Sequence, residues 1–173
     1  MILLAQIIGL LAVVTFLLSY QNKTRENIIK WNVISRILYI IQYVLLGAFE
    51  GAVLDIVGAI SSIVANKKEN RVIKVNLPLV ILNFNLLILV VGMVLYKNIF
   101  SLFPIIGVML HTSAFWISDE KKIRIISFLG SPFWLVYNLS KFAYGSAVGD
   151  ILTMLSIGLA IYRYDIKKSE GLE

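Results

Sequence analysis

Seven apolar runs, separated by short loops in which basic residues gather, dominate this sequence. A helix needs about 20 mostly apolar residues to cross the hydrocarbon core of a bilayer. The predicted spans are Ile2–Tyr20, Asn32–Leu46, Gly51–Ala65, Leu77–Tyr96, Phe100–Ser118, Ile125–Ser140 and Ser146–Tyr164. The third is short and carries Asp55, which a span tolerates when its polar side faces other helices. Of the 173 residues, 59% are hydrophobic and 15% charged. A soluble domain is about a quarter charged, so this chain has too few polar residues to cover a globular surface. The expected fold class is therefore all-α, a polytopic membrane protein with the lipid bilayer as its main partner.

The opening MILLAQIIGLLAVVTFLLSY has neither a basic leader nor a small-residue cleavage site. It reads as a permanent first span, not as a removable signal.

The basic residues predict the topology, because Lys and Arg concentrate in cytoplasmic loops. Lys23, Arg25, Lys30 and Arg36 fall between or just inside the first two spans. Lys67, Lys68, Arg71 and Lys74 follow the third, Lys121, Lys122 and Arg124 follow the fifth, and Arg163, Lys167 and Lys168 follow the seventh. The remaining loops carry only Lys97 and Lys141. All fourteen clustered cations share one side if there are seven spans and each crosses. The N-terminus is then outside and the C-terminus cytoplasmic.

An internal repeat refines this plan. AFEGAVLDIVGAIS, starting at Ala48, aligns with AYGSAVGDILTMLS, starting at Ala143, at an offset of 95 residues. Ala48 matches Ala143, Phe49 matches Tyr144, Val53 matches Val148, Asp55 matches Asp150, Ile56 matches Ile151 and Ser61 matches Ser156. Upstream, the IIG of Ile7–Gly9 matches that of Ile105–Gly107 at an offset of 98. Ile, Leu and Val matches between membrane helices are cheap, but a matched pair of intramembrane acids is not. Spans one to three then resemble spans five to seven, and the odd connector between them keeps both triplets in the same orientation. The expected division is a first three-helix repeat at 1–66, a connector with the fourth span at 67–98, a second repeat at 99–168 and a cytoplasmic tail at 169–173. Transporters with parallel repeats place their substrate sites between the repeats.

Three segments carry a family resemblance: AQIIGLLAVVTFLLSYQNKT at Ala5–Thr24, YIIQYVLLGAFEGAVLDIVGAI at Tyr39–Ile60 and WLVYNLSKFAYGSAVGD at Trp134–Asp150. With these the chain resembles the YgjV-type bacterial inner membrane protein family. That resemblance implies a polytopic membrane protein and no established activity. The 3+1+3 layout with the N-terminus outside is also similar to SWEET sugar transporters and the wider PQ-loop group. The Pro-Gln pair of that group is missing here: the first span has no proline, and Pro104 is followed by Ile105. A rocking mechanism hinged on those prolines is therefore not implied, and fold analogy alone does not transfer function.

Polar residues inside spans are the default functional candidates. Gln42 and Asp55 lie about six residues either side of the turn near Phe49, so both should sit roughly 10 Å below the outer end of that hairpin. Tyr137, Asn138 and Asp150 repeat the arrangement. One reading makes Gln42, Asp55, Trp134, Tyr137, Asn138 and Asp150 the substrate-binding lining of a polar cavity for a small polar solute. The other keeps both Asp residues in the first turns of their helices, hydrated and favoured there by the helix dipole. GSPFW around Gly130 and Pro132 is expected to kink the sixth span and to act as a hinge. Lys141 is expected to pair with Asp150 or to reach lipid headgroups. Asn83, Asn85 and His111 read as packing hydrogen-bonders, with one of the two Asn residues facing another helix.

The chain has no cysteine and one histidine, which leaves no expectation of a metal site or cofactor. No nucleophile–base pair and no phosphate-binding loop stand out, so no enzyme activity is expected. The basic clusters follow loops, so no nucleic-acid partner is expected either. The functional expectation is a carrier or facilitator working through the seam between the triplets, with association into homo-oligomers. The alternative is a non-transporting membrane protein such as an assembly partner, sensor or structural subunit.

Overall fold

The computed structural model describes residues 2–166. The tail placed at 169–173 and the cations Lys167 and Lys168 lie outside the described residues. Among the described residues the chain is helical: α1 (Ile2–Tyr20), α2 (Arg25–Leu45), α3 (Phe49–Asn66), the short α4 (Arg71–Val75), α5 (Leu77–Val94), α6 (Leu102–Phe115), α7 (Glu120–Ser140) and α8 (Tyr144–Ile161). A 3-10 turn at Ile99–Ser101 leads into α6, and a π-helical turn at Tyr162–Ile166 follows α8. Five helices are long and apolar enough to cross a membrane: α1, α2, α3, α5 and α8 with its π turn. The other two predicted spans are also helical. α6 with its 3-10 turn is apolar but shorter, and α7 begins with the charged stretch EKKIR.

Local chemistry explains the ends. Pro78 sits in the first turn of α5, where its missing N–H costs nothing. The Asp119 carboxylate caps α7 by accepting from the Lys122 N–H at 3.1 Å. α2 starts at Arg25, seven residues before the predicted Asn32, because the polar residues that precede the apolar run continue the helix instead of ending it.

The long helices pack as a closed circuit. α1 lies on α2, α2 on α3, α3 on α6, α6 on α7, α7 on α8, and α8 returns to α1; α5 lies outside, against α3 and α6. One end of the bundle gathers residues from both halves. The Arg25 guanidinium donates to the carbonyls of Ala65, Phe115 and Ile117. Arg124 donates to Asn22 O at 3.1 Å and pairs with Asp165 at 2.8 Å. Lys68 donates to Trp116 O at 3.0 Å, and burial together with the Arg25 charge pulls its ammonium below the usual lysine range. Cations suit these positions because helix C-termini present unpaired carbonyls. At the opposite end, the buried Glu50 pairs with Lys141 at 3.1 Å and Lys97 at 3.5 Å. Lys141 therefore serves Glu50, not the expected Asp150, and also lies 5.6 Å over the Tyr137 ring.

Several features recur at the interval seen in the sequence. α2 and α7 both run 21 residues, α3 and α8 both 18, and each pair begins 95 positions apart. The hairpin turns match in detail. Gly47 and Phe142 both take left-handed backbone, at φ 69° and 56°. Ala48 and Ala143 follow at φ/ψ −85°/59° and −84°/60°. The Ala48 N–H donates to Tyr43 O and the Ala143 N–H to Asn138 O, both at 2.9 Å. Positive φ favours glycine, and a Cβ added at Gly47 would meet no neighbouring atom. Gly47→Ala should therefore cost about 1 kcal/mol from backbone conformation alone, read as a lower unfolding midpoint in detergent.

Around its apolar core the bundle departs from the soluble pattern. Leu3, Leu10, Leu86, Val90, Leu155 and Leu159 are exposed, while Arg36, Asp55, Asn138 and Asp150 are buried. A chain in water buries the first kind and solvates the second; in lipid the reverse holds, and buried polar groups must find partners within the protein.

Candidate functional site

The polar residues of α2 form one stripe. Asn32, Arg36, Tyr39 and Tyr43 follow one another at steps of four, three and four, which keeps them on a single helix face. α7 carries Ser127, Ser131, Trp134 and Asn138 at the same steps, 95 positions on. Arg36, Tyr39 and Tyr43 of the first stripe and Trp134 and Asn138 of the second line a cavity of about 20 Å³ in the middle of the circuit. That volume holds roughly one water. All six helices of the circuit reach it: Phe16 from α1, Arg36, Tyr39 and Tyr43 from α2, Asp55 from α3, His111 from α6, Trp134 and Asn138 from α7, and Asp150 from α8.

The acids are neither capping nor exposed. Asp55 lies two turns into α3 and Asp150 two turns into α8, with residue exposures of 3% and 5%. The positions just ahead of the two helices are Ala48 and Ala143, so the first-turn reading of the sequence does not hold. Asp55 forms a close ion pair with Arg36 Nη1, and Arg36 Nε donates to Asn32 Oδ1 at 3.0 Å. The Cβ-less Gly58 makes room for this guanidinium, since a methyl there would collide with it. Asp150 has a different environment: its Oδ2 accepts from Asn138 Nδ2 at 2.8 Å, and Asn138 Oδ1 accepts from the Tyr43 hydroxyl at 2.8 Å. A polar chain thus runs from α2 through α7 to α8.

Aromatic rings wall the cavity. Tyr39 stacks on Tyr43 and Tyr43 on Trp134, both with ring centroids 6.1 Å apart. Phe16 stacks on His111 at 5.8 Å, and His111 Nε2 lies 2.9 Å from Ser127 O. A small cavity among six helices, with a buried ion pair, a second carboxylate and aromatic walls beneath an apolar outer surface, fits an integral membrane protein. Sequence comparison agrees over nearly the full length: residues 3–168 match the family model of Imp-YgjV, a bacterial inner membrane protein. The chain belongs to the Imp-YgjV family. No curated protein and no solved structure matches it.

In this Imp-YgjV protein four of the expected site residues line the cavity: Asp55, Trp134, Asn138 and Asp150. Gln42 and Tyr137 are buried but do not line it; each makes a helix contact, while Gln42 Nε2 has no partner among the described residues. Gln42 Oε1 accepts from Ser146 Oγ at 2.6 Å, and the Tyr137 hydroxyl accepts from the Gly51 N–H at 2.9 Å. These two bonds are counterparts, because Tyr137 lies 95 positions after Gln42 and Ser146 95 after Gly51. The two expected hinge residues fall inside α7, which continues past Pro132 without interruption; Gly130 packs against the His111 ring. Asn85 accepts from Ser113 Oγ on α6 at 3.2 Å, the inward role expected of one asparagine, while Asn83 turns back to Leu79 O on its own helix.

Arg36, expected just inside the second span and counted with the first loop's cations, lies at the cavity with 3% exposure. Tyr39, Tyr43 and Phe16 were also passed over as site residues. The four-three-four polar stripe of α2 was the signal that could have found Arg36, Tyr39 and Tyr43.

Proposed function

We propose that this Imp-YgjV protein is a carrier or facilitator of a small polar solute, built as two parallel three-helix units joined by α5 in a 3+1+3 plan. The single observation that carries the proposal is the central cavity, to which both triplets contribute an acid at equivalent positions. The parallel sense of the two units has its own support. The Arg25 N–H donates to Glu120 Oε1 at 3.3 Å and the Tyr43 hydroxyl to Asn138 Oδ1, and both contacts join residues 95 positions apart. Contacts between counterparts fall on a pseudo-two-fold axis. These two lie about 27 Å apart along α2, so the axis follows the helices, as parallel repeats require.

In this reading α6 and α7 cross the membrane with the other five, the N-terminus is outside, and the end rich in Arg and Lys faces the cytoplasm. Gly130 and Pro132 supply the hinge in α7, next to the cavity ring of His111. The likeness in layout to SWEET and PQ-loop transporters is part of the proposal, as is the absence of enzymatic chemistry. A non-transporting role as an assembly partner draws on one observation: α5 stands outside the circuit with its leucines exposed, a face suited to a second copy or another membrane helix.

The test is solute-driven swelling of proteoliposomes, followed by light scattering at two pH values with a panel of polyols, amino acids and small organic acids. At least one solute should enter faster than into protein-free vesicles. Its rate should fall at least about tenfold in the Asp55→Asn/Asp150→Asn double variant, since each triplet loses its buried acid. A fully active, fully expressed double variant would refute the cavity as the pathway.

A further inference from the structure

The cavity holds three groups whose bonding capacity is incomplete, and they are of two kinds. On the first triplet, Arg36 Nη2 and the Tyr39 hydroxyl are buried donors with no partner among the described residues. Their neighbour Asp55 is already taken by Arg36 Nη1. On the second triplet, Asp150 is a buried carboxylate that accepts from an amide, Asn138, and no cation among the described residues pairs with it. Buried donors without acceptors and a buried carboxylate without a counter-charge are both costly, and here they share one small space.

Resting on the carrier reading above, we propose that the solute is a small zwitterion carrying an ammonium and a carboxylate, an amino acid in its ordinary form. Its carboxylate would accept from Arg36 Nη2 and the Tyr39 hydroxyl, and its ammonium would lie on Asp150. Arginine suits the first role because its fork can hold one carboxylate with Nη1 and offer Nη2 to another. Trp134, which lines the same cavity as Asp150, suits the second, because aromatic rings attract cations. The aromatic wall also explains why the site is not simply a second ion pair: it accepts a cation of modest size that leaves again.

The ligand would join the two triplets, since Arg36 and Tyr39 belong to one and Asp150 to the other. The cavity admits only a water-sized group as it stands, so the triplets must part to take up the solute and can close on it. Recognition and movement would then use the same contacts. The asymmetry of the pair is built into the repeat: the counterpart of Arg36 is Ser131, which donates to Ser127 O and carries no charge. One triplet therefore presents the anion-binding end and the other the cation-binding end.

The experiment uses the full chain in phosphatidylethanolamine–phosphatidylglycerol vesicles with four loads. These are the neutral protein-forming amino acids, the amines left when their carboxylates are removed, the acids left when their amino groups are removed, and glycerol. Release is read by mass spectrometry against protein-free vesicles. At least one amino acid should leave at least about tenfold faster than its amine or acid counterpart, because losing either end leaves a buried partner unpaired. Asp150→Asn should abolish that preference with an unchanged unfolding midpoint. Arg36→Lys, which retains the charge beside Asp55 but not the fork, should weaken it while the protein stays folded. Equal release of amine and amino acid would overturn the zwitterion in favour of a cation site. Release of glycerol or acids without amino acids would overturn it and leave a carrier of another class. No release of any load above protein-free vesicles would overturn the carrier reading itself.

Discussion

Replacing Arg36 with leucine in an otherwise unchanged chain will lower stability by about 3–5 kcal/mol, because Asp55 is then left as a buried charge without a partner. The prediction follows from the exposures of 3% for both residues and from the absence of any other cation at the cavity among the described residues. Asn32 Oδ1 loses its donor in the same step. The paired change Arg36→Leu/Asp55→Leu removes both charges, and replacing a buried ion pair by apolar groups is often neutral. The double variant should therefore recover most of the loss. The measurement is the unfolding midpoint of purified protein in a fixed detergent. If the single variant melts with the parent, the buried ion pair is not what the geometry describes. The cycle also separates folding from function, since a stable double variant without transport places Arg36 and Asp55 in the site itself.

A second large effect is expected at Tyr137. Its ring is fully buried, edge-on to Tyr43 at 5.8 Å and to Trp134 at 6.0 Å. Its hydroxyl takes the Gly51 N–H at 2.9 Å, a donor in the first turn of α3 with no partner within the helix. Tyr137→Phe isolates that bond and should cost about 1–3 kcal/mol, the penalty of an unsatisfied buried donor. Tyr137→Ala adds loss of the ring and should reach about 3–5 kcal/mol. In lipid this loss is one of packing more than of water exclusion, since hydrocarbon outside is as apolar as the core. The difference between the two variants therefore reads the ring's packing directly. A Tyr137→Phe protein as stable as the parent would mean that the Gly51 N–H finds another acceptor.

Much of this was legible in the sequence because membrane helices announce themselves by length and apolarity, and because two acids at an offset of 95 residues are hard to obtain by chance. Asp55 and Asp150 were found that way, and the hairpins they sit in match to within a degree or two at Ala48 and Ala143. What escaped notice has a physical cause. Arg36 follows the polar stretch RENIIKWN, and a count of cations by loop has no way to see that α2 starts at Arg25 and carries that residue three turns into the bundle. The same count treats Arg25 and Arg124 as free charges, although both are spent on carbonyls or a carboxylate where helices end. The assignment of Gln42 and Tyr137 to the cavity followed from depth alone. Depth leaves open the direction around the helix, and direction decides which interface a side chain joins.

The placement of polar groups also separates two kinds of surface that can be altered independently. The Arg36–Asp55 pair, the Tyr43–Asn138–Asp150 chain and the Gln42–Ser146 bond all hold helix to helix from within. The outward leucines of α1, α5 and α8 take part in none of these bonds. Exchanging those leucines for glutamate and lysine leaves each internal bond in place, so a water-soluble edition of this helix circuit, with the same cavity, is within reach of surface substitution alone.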